Sequence, residues 1–238
     1  RKESSAASDV YKRQVPLRPD TVTFANFTHA LSNPSVLSGV GNSVLLALGA
    51  GVVCTVLGWV IALLLTRTRS FDNVGLDIFA LLPQALPGLV VAVAWLLVSP
   101  LLGIFNTLWA ILVAYVMAFS AIVVQMVRPT SAALSRSFEE AAQTAGASPT
   151  RALLTTSGRF TLPIAVTGGV VVALTAVREL TISILLVAPG TRTLGVVIFN
   201  LQQAGDYSAA SALAVLVCLA GIVGLGLVTA HNLSLIHI

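Results

Sequence analysis

Two pairs of charged residues stand in a chain that is otherwise strongly apolar. Glu139 and Glu140 lie in the stretch SFEEAAQTAGASPTRALL, between two hydrophobic segments. Arg178 and Glu179 lie inside the second of those segments. Surface acids can meet a basic partner, whereas charges within an apolar segment are stable only when they are paired or hydrated. The first pair therefore predicts docking chemistry, and the second predicts polar contacts in an apolar environment.

Residue types typical of catalytic and metal sites are sparse. Cys54 and Cys218 lie in hydrophobic segments without a CxxC spacing or nearby histidines, so we expect packing residues rather than metal ligands. His29 and His231 have no neighbouring nucleophile and no HExxH spacing. The chain also has no GxxxxGK[ST] phosphate loop. We expect no catalytic residue, no metal and no cofactor bound by this chain, and no nucleic-acid partner.

The two ends of the sequence mirror one another at the level of DNA. DVYKRQ can be encoded by GATGTGTATAAGAGACAG, whose reverse complement encodes LSLIHI, the last residues of the chain. We interpret residues 1–14 and 233–238 as a translated sequencing adapter and exclude them. The remaining chain contains no lysine, and its charges are nine Arg against seven Asp plus Glu.

The composition indicates a polytopic membrane protein. Hydrophobic residues make up 56% and charged residues 9%, against roughly 25% charged in soluble domains, and the mean hydropathy is +0.94. Runs near the roughly 20 residues needed to cross a bilayer occur about five times. They are Asn42 to Thr66, Val74 to Val98, Ile104 to Val127, Ile164 to Val187 and Ala209 to Thr229.

The placement of arginines predicts the orientation of these spans. Arg67, Arg69, Arg128, Arg136, Arg151 and Arg159 flank loops on one side, and Arg18 and Arg192 lie on the other. Because cytoplasmic loops carry the excess of basic residues, the first group faces the cytoplasm. Residues 15–41 are then an external lead-in, residues 42–232 are the transmembrane domain, and residues 128–162 contain a cytoplasmic loop.

The cytoplasmic stretch predicts a helix, a glycine turn and a second helix. Ser137 and Glu140 have the spacing of a capping box, and Gly146 suits the left-handed residue that ends a helix. Ser148 can cap the second helix, with Pro149 at its first position. The first helix presents a flat apolar face made of Phe138, Ala141, Ala142 and Ala145. The motif is either a solvated loop with well-made caps or a docking surface for another protein.

Arg178 and Glu179 also leave two interpretations open. Neighbours on a helix point about 100 degrees apart, so at least one of them should meet another helix or a water-filled path. The pair is either a clamp between helices or part of a translocation path. Pro83, Pro87 and Gly88 break the second span, which can shape that path or only bend the helix.

EEAAQTAG followed by TLP resembles the EAA signature in permease subunits of ATP-binding-cassette (ABC) importers. Glu140, Ala141, Ala142 and Gly146 fill the motif, and Leu162–Pro163 follow about four residues later than the usual spacing. NSVLLAL, LPQALPGLVVAVAW and VRELTISILLVAPGTRTLGVVIFNLQQAGDYSAASALAVL further resemble iron(III)-type importer permeases. This resemblance covers nearly all of Val15 to Thr229 and matches the second half of a two-half permease.

The resemblance implies the type I importer permease fold: an all-α protein of the bacterial inner membrane with about five spans and a cytoplasmic EAA loop. It implies a second permease half, an external substrate-binding protein and a cytoplasmic ATPase dimer that binds ATP. The ATPase would dock on the EAA loop, whose candidate residues here are Glu139, Glu140, Ala141, Ala142, Gly146 and Pro149. Iron(III) is the favoured substrate, and related permeases carry thiamine, polyamines or phosphonates.

Two other classes remain open on the residues alone. An ion-coupled secondary transporter would use Arg178 and Glu179 for ion coupling and would need no docking helix. An intramembrane enzyme would need a catalytic constellation, and none is visible in the sequence.

Overall fold

The computed structural model describes residues 24–68 and 73–236, and the regular secondary structure of these residues is helical. Its helices are α1 (Ala25–Ser32), α2 (Pro34–Arg67), α3 (Asn73–Ala85), α4 (Gly88–Val98), α5 (Leu108–Ala133), α6 (Ser137–Thr144), α7 (Pro149–Leu153), α8 (Arg159–Val177), α9 (Ser183–Leu186), α10 (Leu194–Gln203) and α11 (Tyr207–Ile236). A π-helical turn, Leu154–Gly158, joins α7 to α8. Residues 1–14, which we interpret as adapter-derived, and also Arg18 and Arg69 fall outside the described residues.

Four helical stretches are long and apolar enough to cross a membrane. They are Pro34–Arg67, Leu108–Ala133, Pro149–Val177 and Tyr207–Gly224. The pair α3 and α4 also passes this test when taken together, with a bend of 107° at the break between them. The prediction of five spans is met when this bent pair is counted as one.

The break in the second span lies where the sequence predicts it. α3 ends at Ala85 and α4 begins at Gly88, with Pro87 in an extended conformation between them. Proline disfavours helical geometry in the residue before it and has no N–H to donate, so the helix stops there. Pro83, in contrast, lies inside α3.

α2, α5 and α8 form the centre of the molecule, and glycines allow their close approach. A Cβ on Gly58 would lie 2.6 Å from Cβ of Val123 on α5. A Cβ on Gly51 would lie 2.8 Å from the carbonyl oxygen of Gly169 on α8. Membrane helices associate through such small-residue contacts because lipid supplies no hydrophobic drive between them.

The cysteines differ in their environments. Cys54 is buried in this core, as predicted, and its thiol faces the carbonyl oxygen of Val116 at 3.7 Å. Cys218 is exposed on α11, so the prediction that it is a packing residue is wrong for the isolated chain. The apolar composition of a lipid-facing helix cannot distinguish the two positions.

Two predicted span boundaries are also wrong. Much of the lead-in is helical, since α1 precedes α2 and α2 already begins at Pro34 rather than near Asn42. The fourth span ends at Val177, and most of residues 178–193 are not helical. The Glu179 carboxylate binds backbone N–H groups of the following residues, a local alternative that competes with continuing the helix.

Candidate coupling surface and membrane cleft

The turn between α6 and α7 has the predicted geometry. Gly146 has φ of +93°, in the left-handed region that favours glycine. Its N–H donates to the carbonyl of Gln143 at 2.9 Å, and the N–H of Ala147 donates to the carbonyl of Ala142 at 3.0 Å. This pair of bonds is a Schellman motif. The backbone of α6 therefore ends where the EAA-like motif places its glycine.

The second helix starts as predicted and continues further than predicted. The Ser148 hydroxyl accepts from the N–H of Arg151 at 3.4 Å, with Pro149 at the first helical position. α7, the π turn and α8 then form one continuous helix, Pro149–Val177. The sequence predicts this second helix apart from the span that begins near Ile164, and that separation is wrong, because α7 is the first turn of the same spanning helix. Leu162–Pro163 lie in this helix, just after the π turn.

The capping box does not form. Ser137 is the first residue of α6, and its hydroxyl pairs with the Ser135 hydroxyl at 2.7 Å. The N–H of Glu140 donates to the carbonyl of Arg136 at 3.1 Å instead. The prediction failed because the chain enters the helix one residue earlier, which removes Ser137 from the capping position.

The apolar face of α6 is open in this chain. Phe138 is 50% exposed, and its ring lies tilted against another exposed ring, that of Phe160, at a centroid distance of 6.2 Å. Ala141 and Ala145 are exposed, Ala142 is partly exposed, and no residue of α6 is buried. Together with the exposed Glu140, these residues form what we call the docking surface.

The adjacent acids face opposite ways. Glu140 is exposed, whereas the Glu139 side chain is 12% exposed and lies 3.5 Å from Nε of Arg67. Glu139 also accepts a hydrogen bond from the hydroxyl of Ser157 in the π turn. Arg67 in turn donates to the carbonyls of Ser131 and Leu134 at the end of α5. The geometry thus makes Glu139 an internal tie rather than part of the open surface.

This tie is the group that sequence reasoning missed. It joins the end of α2, the end of α5, α6 and the π turn through side chains as far as 72 positions apart. In the sequence, Arg67 is only a basic residue at the end of a span, and we used it only to predict the orientation of the spans.

The second charged pair lies on a cleft of about 520 Å³. The cleft is bounded by Pro83 to Gly88 at the break, by Ala118 to Ile122 near the middle of α5, and by Thr175 to Ile182. Backbone that is not helical at membrane depth is tolerated where it is buried in protein or lines a watered cavity. Residues of the break in the second span and residues at the end of α8 line the same cleft, so the two non-helical segments face each other.

Arg178 and Glu179 have different surroundings in the cleft. The Glu179 carboxylate accepts from the N–H groups of Ile182 at 2.8 Å and Ser183 at 3.1 Å. Arg178 is exposed. The ion pairs within residues 24–68 and 73–236 are Arg67 with Glu139 and Arg128 with Asp77, so neither member of this pair is clamped by a salt bridge there.

The chain is similar in sequence to permease proteins of two transport systems. The chain is 28% identical over 198 residues to the Fe(3+)-transport system permease protein FbpB 2 of Haemophilus influenzae, covering 82% of this chain and 37% of the relative. It is 27% identical over 205 residues to the putrescine transport system permease protein PotI of Escherichia coli, covering 82% of this chain and 72% of the relative. The chain thus spans about a third of the length of the iron-transport relative.

The fold is similar to that of a chain in a bacterial ABC transporter involved in the import of the acidic polysaccharide alginate. The TM-score is 0.74 at 18% identity, covering 93% of this chain and 84% of that one. This likeness confirms the predicted all-α permease fold. Residues 54–236, the larger part of the sequence, match a single family along their whole length. The chain belongs to the binding-protein-dependent transport system inner membrane component family.

Proposed function

We propose that this chain is the permease part of an ABC importer, lining the solute path at the cleft and receiving the ATPase at the docking surface. The observation that carries the proposal is the continuous helix Pro149–Val177. Its first turn follows the Gly146 turn directly, and its last residue precedes Arg178 on the cleft. One element therefore joins the surface that would receive force to the space that would hold solute.

A helix of 29 residues is about 43 Å long at 1.5 Å per residue. A rigid helix transmits a displacement at one end to the other, since its backbone bonds resist compression. The Glu139 contacts with Arg67 and Ser157 tie α6 to the same helix. Movement of the docking surface would therefore be passed to the cleft.

The proposed partners follow from the surfaces left open. A cytoplasmic ATPase dimer, which binds the ATP, would cover the docking surface. A second permease half would complete the path, and an external substrate-binding protein would deliver the solute. The family description, a binding-protein-dependent transport component, supports these partners in kind.

Iron(III) is the substrate that we propose, supported by the resemblance of the spans and by the iron-transport relative. Putrescine is the second candidate, because the putrescine relative matches at nearly the same identity and over more of its own length. The exposed Arg178 on the cleft disfavours a free cation of either kind, so the form in which iron(III) is carried matters.

Gly146→Val tests the coupling role. The φ of +93° disfavours a β-branched residue by about 1 kcal/mol or more, and a Cβ there would meet no atom within 4 Å. The strain therefore acts on the turn alone and should misplace α6. We expect Gly146→Val to insert in the membrane but to lose ATPase co-purification and transport.

Gly146→Asn is the matched control, because asparagine tolerates left-handed geometry. It should retain ATPase association and transport. Normal ATPase association and transport in Gly146→Val would overturn the docking role and leave α6 as a solvated loop.

A further inference from the structure

We propose that Arg178 makes the cleft a binding site for an anionic solute, with Glu179 serving as a structural cap rather than as a ligand. This deepens the proposed function by naming the charge class of the solute. The proposal rests on the proposed permease function only where it assigns the cleft a role in transport. The anion site itself is defined by contacts within the chain.

The two charges of the cleft are not equivalent, although they are adjacent in sequence. Both oxygens of the Glu179 carboxylate are occupied by backbone donors, Oε1 by the N–H of Ile182 and Oε2 by that of Ser183. The negative charge is thereby held against the backbone that it caps. Gly195 packs against the Glu179 carbonyl, where a Cβ would come within 2.9 Å, so this segment has little room to move.

Arg178 has no such compensation. No hydrogen bond or ion pair joins its side chain to another group in the described part of the chain, and the side chain is exposed on the cleft wall. Apart from Arg178 and Glu179, the residues lining the cleft are not ionisable. A guanidinium presents up to five N–H donors and no acceptor. An acceptor-rich group is the chemical complement of this side chain.

Neighbouring polar groups add donors to the same space. Gln84 lies on the cleft wall, and its carbonyl oxygen accepts from the amide of Gln125, which leaves the Gln84 amino group free to donate. The exposed hydroxyl of Thr181 lies on the same wall. Carboxylates and phosphates match such a donor set, whereas the carboxylate on the wall, that of Glu179, already accepts two backbone hydrogen bonds.

The size of the cleft sets the scale of the ligand. A volume of about 520 Å³ lies within the range of small-molecule sites. If the solute contains iron(III), this charge pattern requires an anionic chelate such as ferric citrate rather than the bare cation. Putrescine is disfavoured.

Charged thiol reagents test the charge preference directly. In a chain carrying Thr181→Cys and Cys218→Ser, with the buried Cys54 retained, sulfonate-bearing and trimethylammonium-bearing methanethiosulfonates are compared for their rates of modification. We expect the anionic reagent to be favoured. Arg178→Gln should lower the anionic-to-cationic rate ratio on the order of tenfold, as the loss of a unit charge at close range implies, and Arg178→Lys should retain it.

Arg192→Gln is the matched control, because Arg192 is an exposed arginine outside the cleft lining. It should leave the ratio unchanged. An equal ratio with and without Arg178 would overturn the proposal. Absence of reaction with either reagent would also overturn it, since the cleft would then hold no water.

A second measurement needs no change at Arg178. Citrate at millimolar concentration should slow modification of Thr181→Cys by a neutral reagent, and putrescine should not. Protection by putrescine alone, or by neither compound, would refute an anion site. The labelling rates do not depend on the ATPase. Failure of the proposed function would appear in a different measurement, as a wild-type chain that does not associate with an ATPase.

Discussion

Glu139 and Glu140 show how adjacent identical residues take different roles. Glu139 neutralises Arg67, whose side chain is only 5% exposed, whereas Glu140 is exposed. Glu139→Gln should destabilise the protein by about 2 kcal/mol or more, because it leaves a buried guanidinium without its acid. Glu140→Gln should change stability by less than about 0.5 kcal/mol and should weaken ATPase association instead.

Thermal unfolding of the purified variants, with ATPase co-purification alongside, separates the two residues. Equal melting temperatures for Glu139→Gln and Glu140→Gln would contradict the internal tie. The sequence could not tell these acids apart, since both lie in the first turn of a polar helix. The distinction depends on Arg67, which is 72 positions away in sequence and meets Glu139 only after α2 and α5 pack.

Among the helices, the contact of α2 with α8 depends most on glycine. A Cβ on Gly169 would lie 2.8 Å from the backbone carbonyl of Gly51 and 1.8 Å from the Thr55 hydroxyl. The side chain can rotate away, but the backbone of α2 cannot. Gly169→Ala should therefore cost about 1–3 kcal/mol, as overpacking does.

Gly221→Ala is the control for this substitution. Gly221 also lies inside a helix, but a Cβ there would meet nothing within 4 Å. Alanine should then stabilise α11 by about 0.5–1 kcal/mol through its helix propensity. Unfolding of both variants in the same detergent measures the difference, and a stabilised Gly169→Ala would refute the close contact.

Some elements follow from the backbone preferences of single residues, and others depend on contacts that the sequence pattern does not show. The break near Pro87 and the turn at Gly146 were predicted, because proline and glycine restrict the backbone by themselves. The end of α8 was missed because hydropathy continues through Ile182 to Val187, while the Glu179 carboxylate that caps the next segment looks like any buried charge. The π turn has no comparable sequence signal.

For the whole molecule, the contacts of α2 with α5 determine how the chain must be threaded. Cys54 meets Val116 and Thr66 meets Ser131, so the two helices run in the same direction. Two parallel spans require the connection between them to return across the membrane. The bent pair α3 and α4 makes that return, since it follows α5 from the Asp77 contact with Arg128 to the Trp95 contact with Met117. It is a broken span and not a re-entrant loop.

This threading and the distribution of arginines together predict the orientation of the chain in the membrane. Among the described arginines other than Arg178, which lies on the cleft, Arg192 lies on one side of the chain. The others lie toward the Ser137 side: Arg67, Arg128, Arg136, Arg151 and Arg159. Ser137 and the 57%-exposed Leu102 flank opposite ends of α5. In a Cys218→Ser background of this multi-pass inner membrane protein, Leu102→Cys should react with an impermeant thiol reagent in intact cells. Ser137→Cys should react only after permeabilisation. The reverse pattern would invert the orientation, and labelling of both from outside would mean that α5 does not cross.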